Sequence, residues 1–345
     1  MGKQKNFKII LGVDIGNAYT KTSRGVRFLS YVSNKYGASH IKNSYDVIVD
    51  GKKHKVGDEE GSSFTGVTKY EKDIYTATLC TAIIRSAQKK FLKDNPKKTL
   101  KDMPTDIRAK IGLGTPLEQF DDCKEECKQS ALKIKNMPVE LDGMQYTLTV
   151  KDAIVEPQSA IISKENTCCI VFDFGGGTFD AGKWELTNGK FYKSGKQYTF
   201  NDLGFEALLT DFKTTLTNKH KFRSVTTDDA VKLLINKNYK VMGKKKDISK
   251  EVDDILLDFV NRIKTELEKN NFDFMSDKLY LIGGCAALLK PYIVQAYGLT
   301  EEEAEDYIVV EKNPQFSNAL AYERAAKVAF EGFDVEKETE DDTEE

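Results

Sequence analysis

The sequence predicts an α/β fold built from two copies of one domain, each opening with a strand meander and continuing with helices. The segment IILGVDIGNAYTK returns as CIVFDFGGGTFD, which matches Asp14 to Asp173 and Gly16 to Gly175 at a separation of 159 residues. In each copy an apolar, strand-like run ends in an aspartate and a glycine turn. The chain has 345 residues, 40% of them hydrophobic, which is enough for two domains with cores of their own. A chance likeness of two strand–turn–strand units is the alternative.

Charge and cysteine usage exclude several classes of protein. The chain carries 52 basic and 54 acidic residues, so no global attraction to nucleic acid or to an anionic membrane is expected. Six scattered cysteines and three histidines give no metal-ligand spacing, and we expect structural thiols. No stretch reaches the ~20 apolar residues of a membrane span, and the first residues lack a signal-peptide pattern. These features predict a cytoplasmic protein.

The first domain reads as strands, an insertion, and strands again. The run FKIILGVD and the segment TKTSRGVRFLSYVS predict three strands joined by turns. An inserted subdomain is expected at about 36–104, with a hairpin at Asp50-Gly51 and a helix over KDIYTATLCTAIIRSAQKKF. DIRAKIGLGTP then predicts a strand and LEQFDDCKEECKQSAL a helix. A second hairpin is expected over KIKNMPVELDGMQYTLTVKDAIVEP, around Asp142-Gly143, followed by a helix over SAIISKENT.

The second domain repeats the meander, with a turn at Asn188-Gly189, and continues with helices. An inserted subdomain is expected at about 205–275. It contains a helix after Gly204, a lysine-rich turn at Lys244 to Lys246, and a helix over EVDDILLDFVNRIKTELEK with one apolar stripe. KLYLIGGCAALLKPYI predicts a strand, a glycine turn and a helix, and NPQFSNALAYERAAKVAF a final helix. Residues 334–345 hold eight acids and predict a solvated, disordered tail.

Three glycine turns follow apolar strands, at DIGNAYTK, DFGGGTFD and IGGCAALL. Glycines at such turns let backbone N–H groups approach a phosphate closely, because no Cβ stands in the way. No turn contains a Walker A lysine motif, and none gives the dinucleotide fingerprint of the Rossmann fold. Those two common nucleotide-binding folds are therefore disfavoured.

The two aspartates need a separate explanation, because a carboxylate beside a phosphate repels it. Asp14 and Asp173 are compatible with phosphate if a hydrated Mg²⁺ lies between them and the phosphate oxygens. Lys21 and the hydroxyls of Thr20 and Thr178 are then expected to meet the remaining phosphate charge. The alternative for each aspartate is a turn-capping role.

These turns, in this order, resemble the actin superfamily of ATPases. DIGNAYTK looks like its first phosphate loop, DFGGGTFD like its second, and LYLIGGCAALLKPYI like its adenosine loop. KDAIVEPQSAI resembles the first connecting helix and NPQFSNALAYERA the second. Within the superfamily the sequence is most similar to ParM-like bacterial actins, in length, in the segment MPVELDGMQYTLTVKDAIVEPQSA and in the ending NPQFSNALAYE.

The resemblance implies a fold of actin-like duplicated ATPase domains, two ribonuclease-H-like halves around a nucleotide cleft, with inserted subdomains. It places the first domain at 1–156 plus 316–333 and the second at 157–315. It also implies nucleotide-binding positions, which are Asp14, Gly16, Asn17, Ala18, Tyr19, Thr20, Lys21, Gly175, Gly176, Gly177, Thr178, Glu206, Lys213, Gly283, Gly284 and Cys285. For Glu206 and Lys213 a plain helix-surface role is the alternative.

The catalytic position departs from the ParM pattern, which often has Pro-Glu where this chain has Pro157 followed by Gln158. A glutamine can orient water but is a poor base, and actin itself has glutamine at this place. We expect Gln158 to position the attacking water and keep Glu156, directly before the proline, as the alternative, with Asp173 assisting through the metal. A structural role of Glu156 near a helix start and of Gln158 on the surface also remains open.

The resemblance further implies a function. We expect an ATPase that uses ATP, with GTP as an alternative nucleotide, and Mg²⁺, and that assembles with itself into filaments. Such filaments would move plasmid or other DNA through a DNA-binding adaptor protein, with no direct nucleic-acid or membrane contact. A small-molecule kinase or a chaperone-type ATPase on the same fold is the alternative. Neither a second substrate pocket nor a peptide-binding domain after the ATPase core is marked in the sequence.

Overall fold

The structure is a computed structural model that describes residues 6–37, 43–62, 70, 72–159, 168–187, 190–222, 225–273 and 275–330. These residues fall into two compact units, one within Met1–Ala160 and Asn318–Glu345 and the other within Ile161–Ser317. The helix expected over SAIISKENT beyond residue 159, the turn at Asn188-Gly189 and the acidic segment 334–345 lie outside the described residues.

The first unit is a large mixed sheet with helices packed on it. Its strands are β1 (Phe7–Ile15), β2 (Tyr19–Thr22), β3 (Arg27–Leu29), β4 (Val32–Ser33), β5 (Tyr45–Val49), β6 (Lys52–Val56), β7 (Asp106–Thr115), β8 (Met137–Leu141) and β9 (Met144–Pro157). Its helices are α1 (Asp73–Asp94), α2 (Phe120–Leu132) and α8 (Ser317–Ala329). The nine strands form one sheet in the order β3-β2-β1-β7-β9-β8-β5-β6-β4. The central strands β1, β7 and β9 run parallel.

Both predicted hairpins of this unit are confirmed. Asp50 and Gly51 connect β5 to β6, and Asp142 and Gly143 connect β8 to β9, all four with positive φ between 48° and 79°. Two consecutive positive φ angles match the right-handed twist of the flanking strands, which is why Asp-Gly pairs are favoured at this place.

The segment expected as an inserted subdomain shares its sheet and its core with the rest of the unit. β5 pairs with β8 at Val47 and Leu141, and α1 packs on β1 and β5. The apolar side of α1, including Leu79 and Ile83, is fully buried in the same cluster as Leu11 of β1.

Helix α8 lies so close to the sheet that only glycine fits beneath it. A Cβ on Gly12 of β1 would lie 1.8 Å from the carbonyl oxygen of Ala319, and one on Gly112 of β7 would lie 2.1 Å from that of Tyr322. The final helix predicted over NPQFSNALAYERAAKVAF is thus confirmed, with a 3-10 turn at Pro314–Phe316 before it.

The second unit has a smaller sheet covered by helices. Its strands are β10 (Cys168–Phe174), β11 (Phe179–Thr187), β12 (Lys190–Phe200), β13 (Asn238–Val241), β14 (Lys244–Asp247), β15 (Leu279–Gly283) and β16 (Ile308–Val310). Its helices are α3 (Phe205–His220), α4 (Thr227–Asn236), α5 (Ser249–Lys269), α6 (Ala286–Tyr297) and α7 (Glu301–Tyr307). Five strands form a sheet in the order β12-β11-β10-β15-β16, and β13 and β14 form a separate hairpin. The apolar stripe predicted for α5 is buried at Val252, Leu256, Phe259, Ile263 and Leu267.

Two local predictions are wrong. The run KDAIVEP belongs to strand β9, as the predicted hairpin has it, because Asp152 to Pro157 pair with Lys110 to Thr115 of β7; its resemblance to the start of a connecting helix is wrong. Lys244 to Lys246, predicted as a turn, form strand β14, and the turn lies at Met242 and Gly243, which have φ of 46° and 78°. No helix in the described part of the chain is long and apolar enough to cross a membrane.

Candidate functional site

The two predicted phosphate hairpins have the same strand register. Asp14 of β1 pairs with Lys21 of β2, and Asp173 of β10 pairs with Asp180 of β11. Each hairpin closes on a four-residue turn, residues 16–19 in the first and 175–178 in the second. The separation of 159 residues seen between Asp14 and Asp173 therefore holds for both strands of the hairpin.

The first turn is closed by glycine. The Gly16 N–H donates to the Tyr19 carbonyl at 3.1 Å, and a Cβ on Gly16 would lie 3.1 Å from the same oxygen. Asn17 is exposed and Ala18 half-buried at the apex, and the Arg27 guanidinium lies 4.5 Å from the centre of the Tyr19 ring. Asn17 is thus the exposed side chain of this turn, and the hydrogen bond between Gly16 and Tyr19 closes the turn.

Lys21 and Thr20 point to different surroundings. The Lys21 Nζ lies 3.2 Å from Oδ2 of the buried Asp14 side chain. The Thr20 hydroxyl, expected to meet phosphate, is fully buried and shares a 2.8 Å hydrogen bond with the Ser30 hydroxyl. The structure therefore brings Lys21 to the aspartate and directs Thr20 into the core.

The carboxyl ends of β1, β7 and β9 bring further predicted residues to this edge of the sheet. Val13 of β1 pairs with Leu113 of β7, which pairs with Val155 of β9, and the next pair along β7 and β9 is Gly114 with Glu156. Asp14 therefore follows the last pair of the β1–β7 ladder, and Glu156 lies in the next-to-last pair of the β7–β9 ladder, so both lie at this edge of the sheet near Gly114. The Gln158 N–H donates to the Thr115 carbonyl at 3.0 Å, so Gln158 stays at the same edge.

Both candidates for the water-positioning residue, Glu156 and Gln158, are half-buried. The next residue, Ser159, is buried with φ of 68°, and its N–H donates to Oδ1 of Asn318 at 3.1 Å. A positive φ on a residue with a Cβ is uncommon, so Asn318 fixes an unfavourable backbone turn directly after the candidate residues.

The second turn is held by an aspartate that the sequence analysis missed. The Thr178 hydroxyl donates to Oδ2 of Asp180 at 3.2 Å, and the Thr199 hydroxyl of β12 donates to Oδ1 of the same carboxylate. Asp173 and Asp180 are both buried, 6% and 4% exposed. The sequence signal was present, since Asp180 follows Asp173 at the spacing by which Lys21 follows Asp14.

Helix α3 begins directly on the second turn. The N–H of Phe205 donates to the Gly175 carbonyl at 3.0 Å and that of Glu206 to the Gly176 carbonyl at 2.8 Å. A Cβ on Gly204, which precedes the helix, would lie 2.3 Å from the carbonyl carbon of Gly177. Gly204 is thus a further site residue that sequence reasoning used only as a helix boundary.

The third glycine turn lies beside the second. β15 runs parallel to β10, with Gly283 paired to Phe174. Gly283 has φ of 92°, and a Cβ there would lie 2.2 Å from the Phe174 carbonyl oxygen, whereas a Cβ on Gly284 would meet nothing within 4 Å. Burial raises the pKa of the Cys285 thiol to about 12, and the nearby charge of Asp173 acts in the same direction. Gly284 is therefore the open position of this turn.

Within the second unit, Asp173, the turn at 175–178, the start of α3 and the turn at 283–285 meet at the carboxyl ends of two parallel strands. In open α/β sheets this edge is where ligands bind. Glu206 is exposed there, whereas the Lys213 Nζ, two turns along the same helix, contacts the Thr227 hydroxyl of α4 at 3.0 Å.

Among the described residues, no group of three or more His, Cys, Asp and Glu side chains could hold a metal ion. Mg²⁺ usually keeps several waters and takes one or two carboxylates together with phosphate oxygens. The buried aspartate at the end of each hairpin is of the kind that this coordination requires.

The sequence and the structure were compared with those of known proteins. Residues 12–160 match the family model described as "Actin like proteins N terminal domain". No curated protein matches the chain.

Solved structures match nearly the whole chain. Ta0583, an archaeal actin homologue, is 20% identical, with 93% of this chain and 99% of that chain covered and a TM-score of 0.73. It is also known in complex with ADP, with a TM-score of 0.68. The Alp12 filament structure gives 20% identity, coverage of 94% and 99%, and a TM-score of 0.66. Bacillus thuringiensis ParM with ATP gives 16% identity, the same coverage and a TM-score of 0.66. This chain therefore has the actin fold, and its residues 12–160 are similar to the N-terminal domain of actin-like proteins.

Proposed function

We propose that this protein binds and hydrolyses ATP and assembles into filaments that segregate plasmid or other extrachromosomal DNA. The observation that carries the proposal is the repeated hairpin, in which a buried aspartate ends a strand and a glycine-containing turn follows in the same register in both units. Structural relatives solved with ADP and with ATP support nucleotide binding.

In this proposal the turn at 16–19 and the turn at 175–178 bind phosphate through their backbone N–H groups. Lys21 provides positive charge at the first turn, where it also contacts Asp14. At the second turn the Thr178 hydroxyl donates its one proton to Asp180, so the donors proposed for phosphate there are the backbone N–H groups of the turn. Preorganised N–H donors stabilise charge without a reorganisation penalty when the ligand binds.

Asp14 and Asp173 would hold Mg²⁺ through water. The ion, when bound, neutralises the charge that develops on the phosphate oxygens during hydrolysis. Both carboxylates are buried at the ends of strands and so are fixed in place by the sheet.

The nucleoside is proposed to lie against the edge formed by Gly283, Gly284, Cys285 and the start of α3. Gly284 supports this position, because the space where its Cβ would be is open. Glu206 is exposed at the first turn of α3 and is suited to accept hydrogen bonds from ribose hydroxyls. Lys213 contacts Thr227 of α4 in this structure, and we propose that it contacts the nucleotide base when the nucleotide is bound.

Gln158 is proposed to orient the attacking water, with Glu156 as the alternative. An amide can accept and donate to a water molecule at once, whereas a carboxylate can also take its proton. Replacing each residue with alanine shows which of the two orients the water. If Gln158 acts, Gln158→Ala slows turnover by about 100-fold, in the range of general-base and positioning effects, and Glu156→Ala changes it less.

The proposal of filament formation is supported by similar solved structures, and an assembly assay tests it. The Alp12 relative was solved as a filament. Because the net charge is −2, the link to DNA is proposed to run through a DNA-binding adaptor protein. The test is light scattering and sedimentation at micromolar protein with ATP·Mg²⁺, GTP·Mg²⁺, ADP·Mg²⁺ and no nucleotide. Assembly only with a nucleoside triphosphate supports the proposal, and equal behaviour in all four conditions contradicts it.

A further inference from the structure

Strands β13 and β14 of the second unit form an exposed hairpin rich in lysine, which we call the lysine hairpin (Asn238–Asp247). Lys240, Lys244, Lys245 and Lys246 lie on it, and residues 240–247 are all exposed. The strand register sets Lys240 directly opposite Lys245. Like charges directly opposite each other across two strands destabilise the pair, so an anion that neutralises them stabilises the hairpin.

The positive charge of the lysine hairpin is not compensated by ion pairs. Among the described residues, no carboxylate forms an ion pair with any of its four lysines. Two acids at the base of the hairpin have partners of their own. Asp247 accepts hydrogen bonds from the backbone and the hydroxyl of Ser249, and Asp253 pairs with Lys237 at 2.6 Å. The lysines therefore remain available to anions outside the chain.

The apex of the hairpin is apolar. Met242 is 99% exposed and Val241 is 47% exposed. In the described part of the chain Met242 is the most exposed of the large apolar side chains. Its φ of 46° is also a conformation in which glycine or asparagine is favoured. Neither water nor the backbone favours methionine at this place, which indicates a contact with apolar matter outside the chain.

The hairpin separates its apolar and its charged residues by depth. Lys244 lies in the strand pair next to the turn, Lys245 in the second pair and Lys246 in the third. A strand advances about 3.3 Å per residue, so the lysines lie between about 3 Å and 10 Å behind the apex. Interfacial membrane segments have the same layering, because their apolar side chains enter the bilayer by about 5–10 Å while lysine ammonium groups stay among the headgroups.

The base of the hairpin is fixed. The Tyr239 ring packs edge-on against Phe222 and His220, with centroids 4.9 Å and 5.6 Å away. The Ile248 N–H, directly after the hairpin, donates to the Lys237 carbonyl at 2.9 Å, and Ile248 is fully buried. A surface that is already ordered loses little conformational entropy when it binds.

We propose that the lysine hairpin binds membrane surfaces that contain anionic lipids. Met242 and Val241 enter the interface, and the four lysines lie at the level of the anionic headgroups. Duplex DNA would also attract the lysines, but it would leave the apolar apex in water, so the apex favours a membrane as the partner. Lysine is a compact point charge, whereas bidentate recognition of phosphate favours arginine, which the hairpin lacks.

The net charge of −2 for the whole chain does not oppose this proposal. The expectation of no membrane contact follows from the global charge, whereas the attraction of a basic cluster to an anionic surface is local and falls off within about 10 Å at 0.1 M salt. Each lysine near such a surface strengthens binding by about fivefold. A single hairpin is therefore expected to bind reversibly. The proposal does not depend on nucleotide binding.

The test is flotation of the full chain, without nucleotide, with vesicles of phosphatidylserine and phosphatidylcholine in equal amounts and with vesicles of phosphatidylcholine alone. We expect binding to the anionic vesicles at low salt that weakens as salt rises, and much less binding to phosphatidylcholine. Lys240→Gln/Lys245→Gln should weaken binding by about tenfold or more while leaving the fold at least as stable. Lys97→Gln/Lys98→Gln, at two exposed lysines outside the hairpin, is the matched control and should leave binding unchanged.

A second variant tests the apex independently of charge. Met242→Asn should stabilise the turn, since asparagine tolerates a positive φ, and yet weaken binding to the anionic vesicles severalfold. Val328→Gln, which removes an apolar side chain that is 67% exposed on α8, is the matched control and should bind as the wild-type chain does.

Four results would overturn the proposal. The wild-type chain could fail to float with the anionic vesicles, or the double lysine variant could bind them as tightly as its parent. Hairpin-dependent binding could be tighter to duplex DNA than to the vesicles. Finally, the hairpin variants could lose nucleotide-dependent assembly but keep vesicle binding, which would make the hairpin a contact between copies of the chain. Since flotation is measured without nucleotide, its failure leaves the proposed ATPase untouched.

Discussion

Lys21 lies opposite Asp14 in the first hairpin, at the position that Asp180 occupies opposite Asp173 in the second. In the first hairpin the two side chains form an ion pair at 3.2 Å. In the second, two buried carboxylates stand at the same places, and Asp180 accepts hydrogen bonds from Thr178 and Thr199. The two copies therefore share a backbone frame and differ in charge, because a lysine faces the aspartate in the first hairpin and a second carboxylate faces it in the second.

Asp180 is expected to hold the second turn and β12 together. Asp180→Ala should lower the free energy of unfolding of the second unit by about 1–3 kcal/mol, because two hydroxyls lose their acceptor. Urea unfolding followed by the fluorescence of Trp184, the one tryptophan of the chain, which is buried on β11, measures the effect. Asp180→Asn keeps an acceptor oxygen and should lose less. Equal losses in the two variants would contradict the assigned hydrogen bonds.

Gly204 is expected to be intolerant of any side chain. Its Cβ would lie 2.3 Å from the Gly177 carbonyl carbon, so Gly204→Ala should displace the second turn and destabilise the second unit by about 1–3 kcal/mol, as overpacking does. Gly284→Ala is the matched control, because its Cβ meets nothing within 4 Å and stability should stay within about 0.5 kcal/mol. Trp184 fluorescence reports both. Unchanged stability of Gly204→Ala would contradict the close contact between Gly204 and the second turn.

The parts of the fold and of the candidate site that the sequence predicts are those formed by interactions between residues close together in the chain. The Asp-Gly turns, the stripe of α5 and the matched glycine hairpins depend on residues near each other in the chain, and the structure has them as predicted. The direction of Thr20 and the role of Gly204 depend on partners further along the chain, namely Ser30 and Gly177. Pairing with such partners is set by tertiary structure, which a local pattern does not record.

The thiols are expected to differ sharply in reactivity. Burial raises the pKa of Cys80, Cys169 and Cys285 to about 12, so these stay protonated and unreactive near neutral pH. Cys168 is half-exposed. Iodoacetamide at pH 7.5 followed by mass spectrometry should modify Cys168 first in the native protein and all six cysteines only in urea. Fast native labelling of Cys285 would contradict its packing beneath the third turn.

His54 should make the first unit sensitive to acid. Burial lowers the pKa of this imidazole, so the folded state takes up the proton at a lower pH than the unfolded state does. The contribution of His54 to stability is therefore complete above the unfolded pKa of about 6.5 and declines as pH falls through the folded value. Calorimetry between about pH 5 and pH 7 should show a flatter dependence of melting temperature on pH for His54→Phe. An unchanged slope would mean that His54 is not protonated on unfolding.

The most direct measurement is steady-state ATP turnover of the wild-type chain and of Asp14→Ala and Asp173→Ala, each with Mg²⁺ and with excess chelator. Asp94→Ala, which removes an exposed carboxylate paired with Lys90, is the control. We predict Mg²⁺-dependent turnover that falls by about 100-fold or more in each hairpin variant and is unchanged in the control, in line with the loss of a preorganised charge at a reacting phosphate. Turnover that survives both substitutions, or that proceeds equally well in chelator, would contradict the assignment of the two hairpins to a nucleotide and its metal.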